Sequence, residues 1–301
     1  MPPIASIAAV ATAFHPDQRL TDVVEAALKS CVEVVVVDNT PAGQPSAAEG
    51  LADLAGVRVL RDGRNAGLAA ALNTGLRALE SDADAVLLLD QDSILTSELV
   101  ESLAAHLASD PAIAIAAPAP WDAVTGRYYE PGTDGRPDVA DRETVITSGM
   151  LVRRSVFDSV GTFREEFFVD HVDNDFCLRV HATGARIVQD KRLKLEHSLG
   201  TREEHGVGGL KVATSRHPVW RNYWFARNAM VLIREHRGDA PEWVRGMRRY
   251  LIQYELVRTF LEAPRFQRSA AIRKGIADGR RGRVRESYYP EGAARPDRTS
   301  S

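Results

Sequence analysis

The sequence has few cysteines and no strong excess of charge, and both scarcities narrow the class of protein. Cys31 and Cys177 are the two cysteines among 301 residues, too few for a disulfide framework and typical of a reducing compartment. The formal net charge is −3, so the overall composition gives no indication of nucleic-acid binding. We therefore expect an ordinary globular protein with two buried, unreactive thiols.

Signals for membrane insertion and secretion are also missing. No uncharged apolar run reaches the roughly 18 residues needed to span a bilayer. Residues 1–14 carry no charged side chain, but the first basic residue is Arg19, so the positive start of a secretory signal is absent. We expect a cytoplasmic protein, held at most peripherally on the inner face of the cell membrane.

The usual glycine-rich phosphate loops do not occur either. The first strand-like segment runs into Ala13–Pro16 without a GxGxxG pattern, and GxxxxGK[ST] is found nowhere in the chain. A nucleotide diphosphate bound without such a loop needs a metal ion to neutralise its phosphates.

What the chain does contain is a regular alternation of strand-like and helix-like segments in its first third. The strands are expected at Ile4–Phe14, Val32–Val37, Val57–Leu60 and Ala85–Leu89, and helices at Leu20–Ser30 and Leu68–Leu79. This order predicts an α/β fold with a parallel, right-handed wound sheet. Ligands of such sheets bind beyond the carboxyl ends of the strands, where Asp38, Asp90 and Asp92 lie.

Asp90 and Asp92 follow a run of aliphatic residues that predicts a strand buried on both faces. Because they are two residues apart, their side chains leave on the same side if the strand geometry persists. Paired carboxylates of this kind suit Mg²⁺ or Mn²⁺. Solvated turn residues are the alternative interpretation of the pair.

Four segments in matching order and spacing resemble the motifs of one enzyme family: Val34–Asn39, Arg64–Gly75, Asp90–Asp92 and Phe167–Arg179. Together they resemble the inverting glycosyltransferases of family 2, and within it the bacterial dTDP-rhamnosyltransferases, whose metal-binding motif is often Asp-Gln-Asp. The resemblance covers roughly residues 4–235. It implies an α/β fold of GT-A type, a Rossmann-like, mostly parallel sheet flanked by helices. The composition of the chain after about residue 240 adds a C-terminal helical appendage to this expectation.

The resemblance and the composition together predict three regions along the chain. Residues 1–95 would form the nucleotide-sugar-binding half of the GT-A domain, and residues 96–238 its acceptor and catalytic half. Residues 239–301 would form a basic amphipathic helical region with a disordered tail.

The donor and metal sites follow from the matched motifs. The resemblance assigns nucleotide-sugar contacts to Asp38, Asn65, Gly67, Asp90 and Arg227. It makes a divalent cation, Mg²⁺ or Mn²⁺, the cofactor, with Asp92 as the direct ligand. Asp90 would contact the ribose or reach the metal through water, and His197 would complete the metal shell or touch the diphosphate. Turn formation at Asp38, helix packing at Gly75 and Asn73, and core packing at Arg227 are the structural alternatives.

The catalytic base implied by the resemblance is Asp173. Most relatives carry Glu-Asp where this chain has Val172 and Asp173, so the Glu is missing and the Asp remains. The alternative is that Asp173 caps a helix expected at Phe176–Thr183. We expect Asp175 to be structural, in an i,i+4 pair with Arg179.

The composition changes after about residue 240. Residues 244–285 contain twelve Lys and Arg against three acidic residues, interleaved with large apolar ones. Basic amphipathic helices of this kind can lie on anionic membranes. A solvated helical appendage or a subunit contact is the alternative, and the oligomeric state does not follow from the sequence.

The sequence thus predicts an inverting transfer of L-rhamnose from dTDP-β-L-rhamnose to an acceptor hydroxyl in cell-surface polysaccharide assembly. The acceptor is expected to be a glycan or a polyprenol-diphosphate sugar. One alternative keeps the fold and changes the donor to a UDP-hexose or UDP-galactofuranose. Another is a non-catalytic, membrane-associated subunit that binds nucleotide sugars, which has no need of a base at Asp173.

Overall fold

A computed structural model describes residues 4–130, 132–196 and 217–294, and the backbone of residues 202–207 and 210–215. The chain forms two compact units. Unit 1 contains residues 4–165, 172–196 and 292–294 of the described chain, and unit 2 contains residues 166–171 and the described part of 198–291. These units divide the chain at other points than the three regions expected from the sequence.

The strands and helices have the following bounds. The strands are β1 Ile7–Ala13, β2 Glu33–Asp38, β3 Val57–Leu60, β4 Ala85–Asp90, β5 Ile113–Asp122, β6 Arg127–Tyr128, β7 Val139–Asp141, β8 Met150–Arg153, β9 Arg186–Glu196, β10 Arg202–Val207 and β11 Leu210–Ser215. The α-helices are α1 Arg19–Leu28, α2 Leu68–Ala78, α3 Ser97–Ser109, α4 Arg154–Val160, α5 Val172–Ala182, α6 Val219–Glu235, α7 Pro241–Phe260 and α8 Arg265–Arg280.

Unit 1 is built on a sheet that has nine strands within the described residues. Its order is β3-β2-β1-β4-β8-β5-β9-β7, with β6 paired to β5. The ladders through β3, β2, β1 and β4 are parallel, as the alternating sequence predicts. Beyond β4 the sheet is mixed, because β8 runs antiparallel to both β4 and β5 while β9 runs parallel to β5. The α/β fold with helices around a central sheet is confirmed.

The interior of the sheet explains these elements. Every residue of β1 is buried, and β4 is buried up to its last residue, as expected for central strands covered on both faces. The α1 helix covers one face with an apolar stripe of Leu20, Val23, Val24 and Ala27 at helical spacing. On the other face α2 lies so close to β1 that a Cβ at Gly75 would collide with the side chain of Val10. Helix packing at Gly75 is therefore the correct interpretation.

Unit 2 is mainly helical, with the antiparallel hairpin β10–β11. In its centre α8 lies against α6 at glycine contacts: a Cβ at Gly275 or Gly279 would lie closer than 3.0 Å to a carbonyl oxygen of α6. The ring of Tyr223 stacks on that of Tyr288 with centroids 4.3 Å apart, and the indole of Trp224 donates to the Tyr288 carbonyl at 2.8 Å. None of the helices within the described residues is both long and apolar enough to cross a membrane.

Candidate active site

Two of the expected donor-binding carboxylates flank the end of the central strand β1. In the parallel ladders Asp38 of β2 is the partner of Ala13, and Asp90 of β4 is the partner of Thr12. Neighbouring strands lie about 4.8 Å apart, so the two carboxylates lie on either side of β1 at the carboxyl edge of the sheet. Two loop contacts tie the strand ends together: Phe14 N donates to Gln91 Oε1 and His15 N donates to Thr40 Oγ1, each at 2.8 Å.

Asp38 is almost completely buried, with 1% of its surface exposed. Its Oδ1 accepts from the backbone N of Thr40 at 2.9 Å, which accounts for the turn alternative. Its Oδ2 lies 3.3 Å from Nε of Arg61 but accepts no hydrogen bond within the described structure. A buried carboxylate oxygen without such a bond is costly, so this atom is a ready acceptor for a ligand N–H or hydroxyl.

Arg61 was not identified from the sequence, although it follows β3 directly, at the same edge of the sheet. Its guanidinium pairs with Glu49 and donates to the carbonyls of Gln44 and Pro41, in addition to its contact with Asp38. It therefore anchors the loop 39–46 beside the site. A basic residue immediately after the third parallel strand was the signal that could have revealed it.

Asn65 and Gly67 form the turn that leads into α2. Asn65 Oδ1 accepts from the backbone N of Gly67 at 3.0 Å, and Asn39 Nδ2 donates to the Gly67 carbonyl at the same distance. Gly67 has φ +86°, a conformation that L side chains rarely adopt. The backbone conformation alone thus requires the glycine, whatever approaches it from outside.

The expected metal-binding pair lies where β4 ends. Asp90 is the last residue of β4 and is half-buried, and Asp92 has 17% of its side chain exposed. Nη1 of Arg19, from the first turn of α1, lies 3.7 Å from Asp92 Oδ2, a contact the sequence did not indicate. No cluster of three or more His, Cys, Asp or Glu side chains suited to a metal occurs among the described residues, and His197 lies outside them.

The loop 145–149 connects this edge to the helix that carries Asp173. Ser148 Oγ hydrogen-bonds Ser93 Oγ, immediately after Asp92, and Val145 O accepts from Cys177 Sγ of α5 at 3.6 Å. Both partners of the loop belong to unit 1. The first turns of α5 and the end of β4 therefore contact the same five-residue loop.

Asp173 lies in the first turn of α5, which begins at Val172. The expected start of this helix at Phe176 is wrong, because the polar residues before Phe176 are already helical. Asp173 Oδ1 accepts from the backbone N of Asn174 at 2.8 Å and from its Nδ2 at 3.1 Å. The side chain is half-buried, and negative charge in a first helical turn is stabilised by the helix dipole.

Asp175 is structural, as expected. It is fully buried and lies 2.9 Å from Arg179 in an i,i+4 pair, with Nε of Arg164 3.3 Å from its other oxygen. Arg179 also donates to the carbonyls of Val160 and Thr162, each at 2.8 Å. The pair therefore attaches α5 to the loop that follows α4.

Asn73 is also structural. Its Nδ2 donates to the Phe163 carbonyl at 2.8 Å and to Glu165 at 2.9 Å, and its Oδ1 accepts from the Phe163 backbone N at 2.9 Å. The amide therefore holds α2 against the segment before α5. These contacts explain the asparagine at position 73, and no bound ligand is needed to explain it.

Arg227, the remaining expected donor contact, lies in unit 2 and is fully buried. Its guanidinium donates to Asn228 Oδ1 at 2.9 Å and to the Arg283 carbonyl at 3.2 Å, and lies over the ring of Phe167. These partners favour the structural alternative for Arg227 over a contact with the donor diphosphate.

The segment before α5 is held in an unusual conformation within unit 2. Asp170 and His171 have φ of +59° and +62°, which is uncommon for residues other than glycine. Asn228 Nδ2 donates to the carbonyls of Val169 and Asp170 at 2.9 and 3.0 Å. Arg221 donates to both oxygens of the Asp170 carboxylate, at 2.8 and 3.0 Å. Burial lowers the pKa of His171 to about 4, so it is neutral at pH 7.

Comparison with known proteins identifies the family of this chain. The model of the glycosyl transferase family 2 domain matches residues 10–161. The chain is 30% identical over 247 residues to the dTDP-rhamnosyl transferase RfbF of Shigella flexneri. The aligned region covers 77% of this chain and 81% of that protein.

Solved structures agree with the fold. The mannosyltransferase PcManGT from Pyrobaculum calidifontis, solved with GDP-Man and Mn²⁺, aligns with 93% of this chain and 89% of its own at a TM-score of 0.56 and 12% identity. TarS of S. aureus aligns with 85% of this chain at a TM-score of 0.56 and 13% identity, and the chain spans 44% of that structure. With the GT-A fold and the family 2 domain both present, the chain belongs to glycosyl transferase family 2.

Proposed function

We propose that this glycosyltransferase transfers L-rhamnose from dTDP-β-L-rhamnose to an acceptor hydroxyl, with inversion at the anomeric carbon. The proposed donor rests on the 30% identity, over most of both chains, to a protein named as a dTDP-rhamnosyl transferase. The proposed acceptor is a glycan or a polyprenol-diphosphate sugar in cell-surface polysaccharide assembly.

Donor binding is assigned to the carboxyl edge of the sheet in unit 1. The buried Oδ2 of Asp38, which lacks a hydrogen bond within the described structure, suits an N–H of the base or a ribose hydroxyl. The turn at Asn65 and Gly67 begins α2, and backbone N–H groups at a helix start suit an anionic ligand. Asp90 at the end of β4 is assigned to the ribose or to the cation.

The residues at this edge fit a divalent cation. Mg²⁺ is usually held by one or two carboxylates together with substrate phosphates, so a full set of protein ligands is not required. Asp92, with Asp90 beside it, offers hard oxygen ligands at a partly exposed position. A cation held there would stabilise the negative charge of the leaving diphosphate. His197 is retained as a proposed further ligand.

Asp173 is assigned as the general base. The two hydrogen bonds from Asn174 orient its carboxylate at the start of α5, and a carboxylate oxygen would take the proton of the acceptor hydroxyl as that oxygen attacks the anomeric carbon. The diphosphate departs on the opposite face, so one displacement inverts the centre. The dipole of α5 favours the ionised form that a base requires.

The test is an Asp173→Asn variant assayed for rhamnosyl transfer from dTDP-β-L-rhamnose and for binding of dTDP. Asp158→Asn, the same change at an exposed position of α4, is the matched control. We expect transfer by Asp173→Asn to fall by at least 10²-fold, the usual contribution of a general base, while dTDP binding persists. Retention of transfer would remove Asp173 from the mechanism, and loss of dTDP binding together with transfer would assign Asp173 to the donor site instead.

A further inference from the structure

A groove in unit 2 lies between α6, α7 and α8 and has no part in the proposed donor site. It encloses about 360 Å³. Its floor is apolar and consists of Met230, Ile233, Leu251 and Ile276. Its rim carries three arginines: Arg237 just after α6, Arg248 in the middle of α7 and Arg280 at the end of α8. We call this feature the arginine-rimmed groove.

The rim arginines are exposed, and no acidic residue of the described chain pairs with them. No ion pair joins Arg237, Arg248 or Arg280 to another residue of the described chain. The one acidic residue that lines the groove, Glu255, is engaged by Arg273 at 2.9 Å. The groove therefore combines an apolar floor with three positive charges that a ligand can neutralise.

An exposed apolar stripe borders the groove along α7. Ile252, Leu256 and Phe260 recur every four residues, so they share one face of the helix, and their exposed fractions are 63%, 52% and 64%. Arg249 precedes them and is also exposed. Ile252 lines both the stripe and the groove, so the two surfaces are continuous.

We propose that the arginine-rimmed groove and the α7 stripe bind an anionic phospholipid bilayer. Lipid phosphates would contact the rim arginines, while acyl chains would contact the groove floor and the stripe. The combination of unpaired positive charge and exposed apolar side chains is what an anionic lipid surface complements. A second copy of the chain is a poorer occupant, because a two-fold contact would bring the same arginines face to face.

The test is sedimentation of the full chain with vesicles of phosphatidylcholine alone or with added phosphatidylglycerol. We expect binding to the anionic vesicles and little to the neutral ones. The Arg237→Gln/Arg248→Gln/Arg280→Gln variant should bind them on the order of 100-fold more weakly, since each arginine near an anionic surface contributes about fivefold.

The matched control changes three exposed basic residues in unit 1: Lys29→Gln, Arg77→Gln and Arg127→Gln. It removes the same charge and should change vesicle binding by less than about threefold if the groove is responsible. A Leu256→Gln/Phe260→Gln variant should also bind anionic vesicles more weakly, because it removes the apolar part of the surface. Thermal unfolding of each variant checks that the fold persists.

Three results would overturn the proposal. One is equal loss of binding in both arginine triple variants, which would reduce the effect to net charge. Another is a dimer that Leu256→Gln/Phe260→Gln converts to a monomer, with no vesicle binding by either form. The third is binding of glycerol phosphate in solution without binding of vesicles. The readout is lipid binding, so its outcome is separate from that of the rhamnosyl-transfer assay.

Discussion

The close contact between α6 and α8 predicts that a side chain at Gly275 lowers the stability of the protein. A Cβ at Gly275 would lie closer than 3.0 Å to the carbonyl oxygen of Tyr223, 3.0 Å from the Arg227 backbone N and 3.1 Å from the Ala226 Cβ. Real Cβ atoms essentially never show the first of these separations, and the obstacle is backbone. Gly275→Ala can therefore be accommodated only if the two helices move apart.

The magnitude follows from two opposing effects. Overpacking costs typically 1–3 kcal/mol, and a backbone obstacle places this site near the upper end, at about 3 kcal/mol. Alanine in place of glycine within a helix gains about 1 kcal/mol. We expect Gly275→Ala to lower the free energy of unfolding by about 2 kcal/mol.

Gly246 provides the matched control. It lies in α7, and a Cβ there would meet no atom within 4 Å. Gly246→Ala should therefore raise the free energy of unfolding by about 1 kcal/mol, so the same substitution has opposite signs at the two sites. Urea unfolding, with an m-value of about 3 kcal/mol/M, should separate the two midpoints by about 1 M. A Gly275→Ala variant as stable as Gly246→Ala would refute the close packing of α6 and α8.

Two further predictions concern buried polar groups. Asn73→Ala removes three hydrogen bonds and leaves the Phe163 N–H and carbonyl without these partners. Urea unfolding should therefore show that the free energy of unfolding falls by about 3 kcal/mol. A decrease below about 1 kcal/mol would contradict the structural role of Asn73. The pKa of His171 is lowered to about 4, so below pH 6.5 the unfolded chain takes up a proton that the folded chain does not, and stability falls by roughly 3 kcal/mol down to about pH 4. His171→Asn, which tolerates the positive φ, should remove this contribution and leave the separate decline that His217 causes; an unchanged pH profile would show that His171 is not buried neutral.

The N-terminal half of the fold could be predicted because its signals are local. The strand at Val57–Leu60 has the predicted bounds, and Asp38 and Asp90 lie at the carboxyl edge, as the alternation of segments requires. Runs of buried aliphatic residues followed by polar ones report where a central strand ends. The antiparallel pairing of β8 with β4 and β5 was not predicted, because the periodicity of a four-residue segment does not show which way the segment runs in a sheet.

Long-range contacts explain what the sequence left out. The start of α5 was placed too late, because a run of polar residues such as Asp173–Asp175 is typical of a loop. In the structure Asp175 forms buried ion pairs with Arg164 and Arg179, and these stabilise the helix. The contact that Arg227 makes with the Arg283 carbonyl could not be predicted from the local sequence, because the two residues are 56 positions apart. The sequence also contains one sign of such a contact that our predictions did not include: Gly275 and Gly279 lie four residues apart on α8, a spacing typical of close helix packing.

The most direct test of the donor assignment is thermal stability of the protein with dTDP, UDP or GDP, each with Mn²⁺, Mg²⁺ or EDTA. A ligand that binds only the native state adds RT ln(1 + [L]/Kd), about 2.7 kcal/mol at 100 times Kd. We predict the largest stabilisation with dTDP, and its reduction when EDTA removes the cation. A larger stabilisation with UDP or GDP would contradict the rhamnosyl donor, and an effect of dTDP unchanged by EDTA would contradict the cation at Asp90 and Asp92.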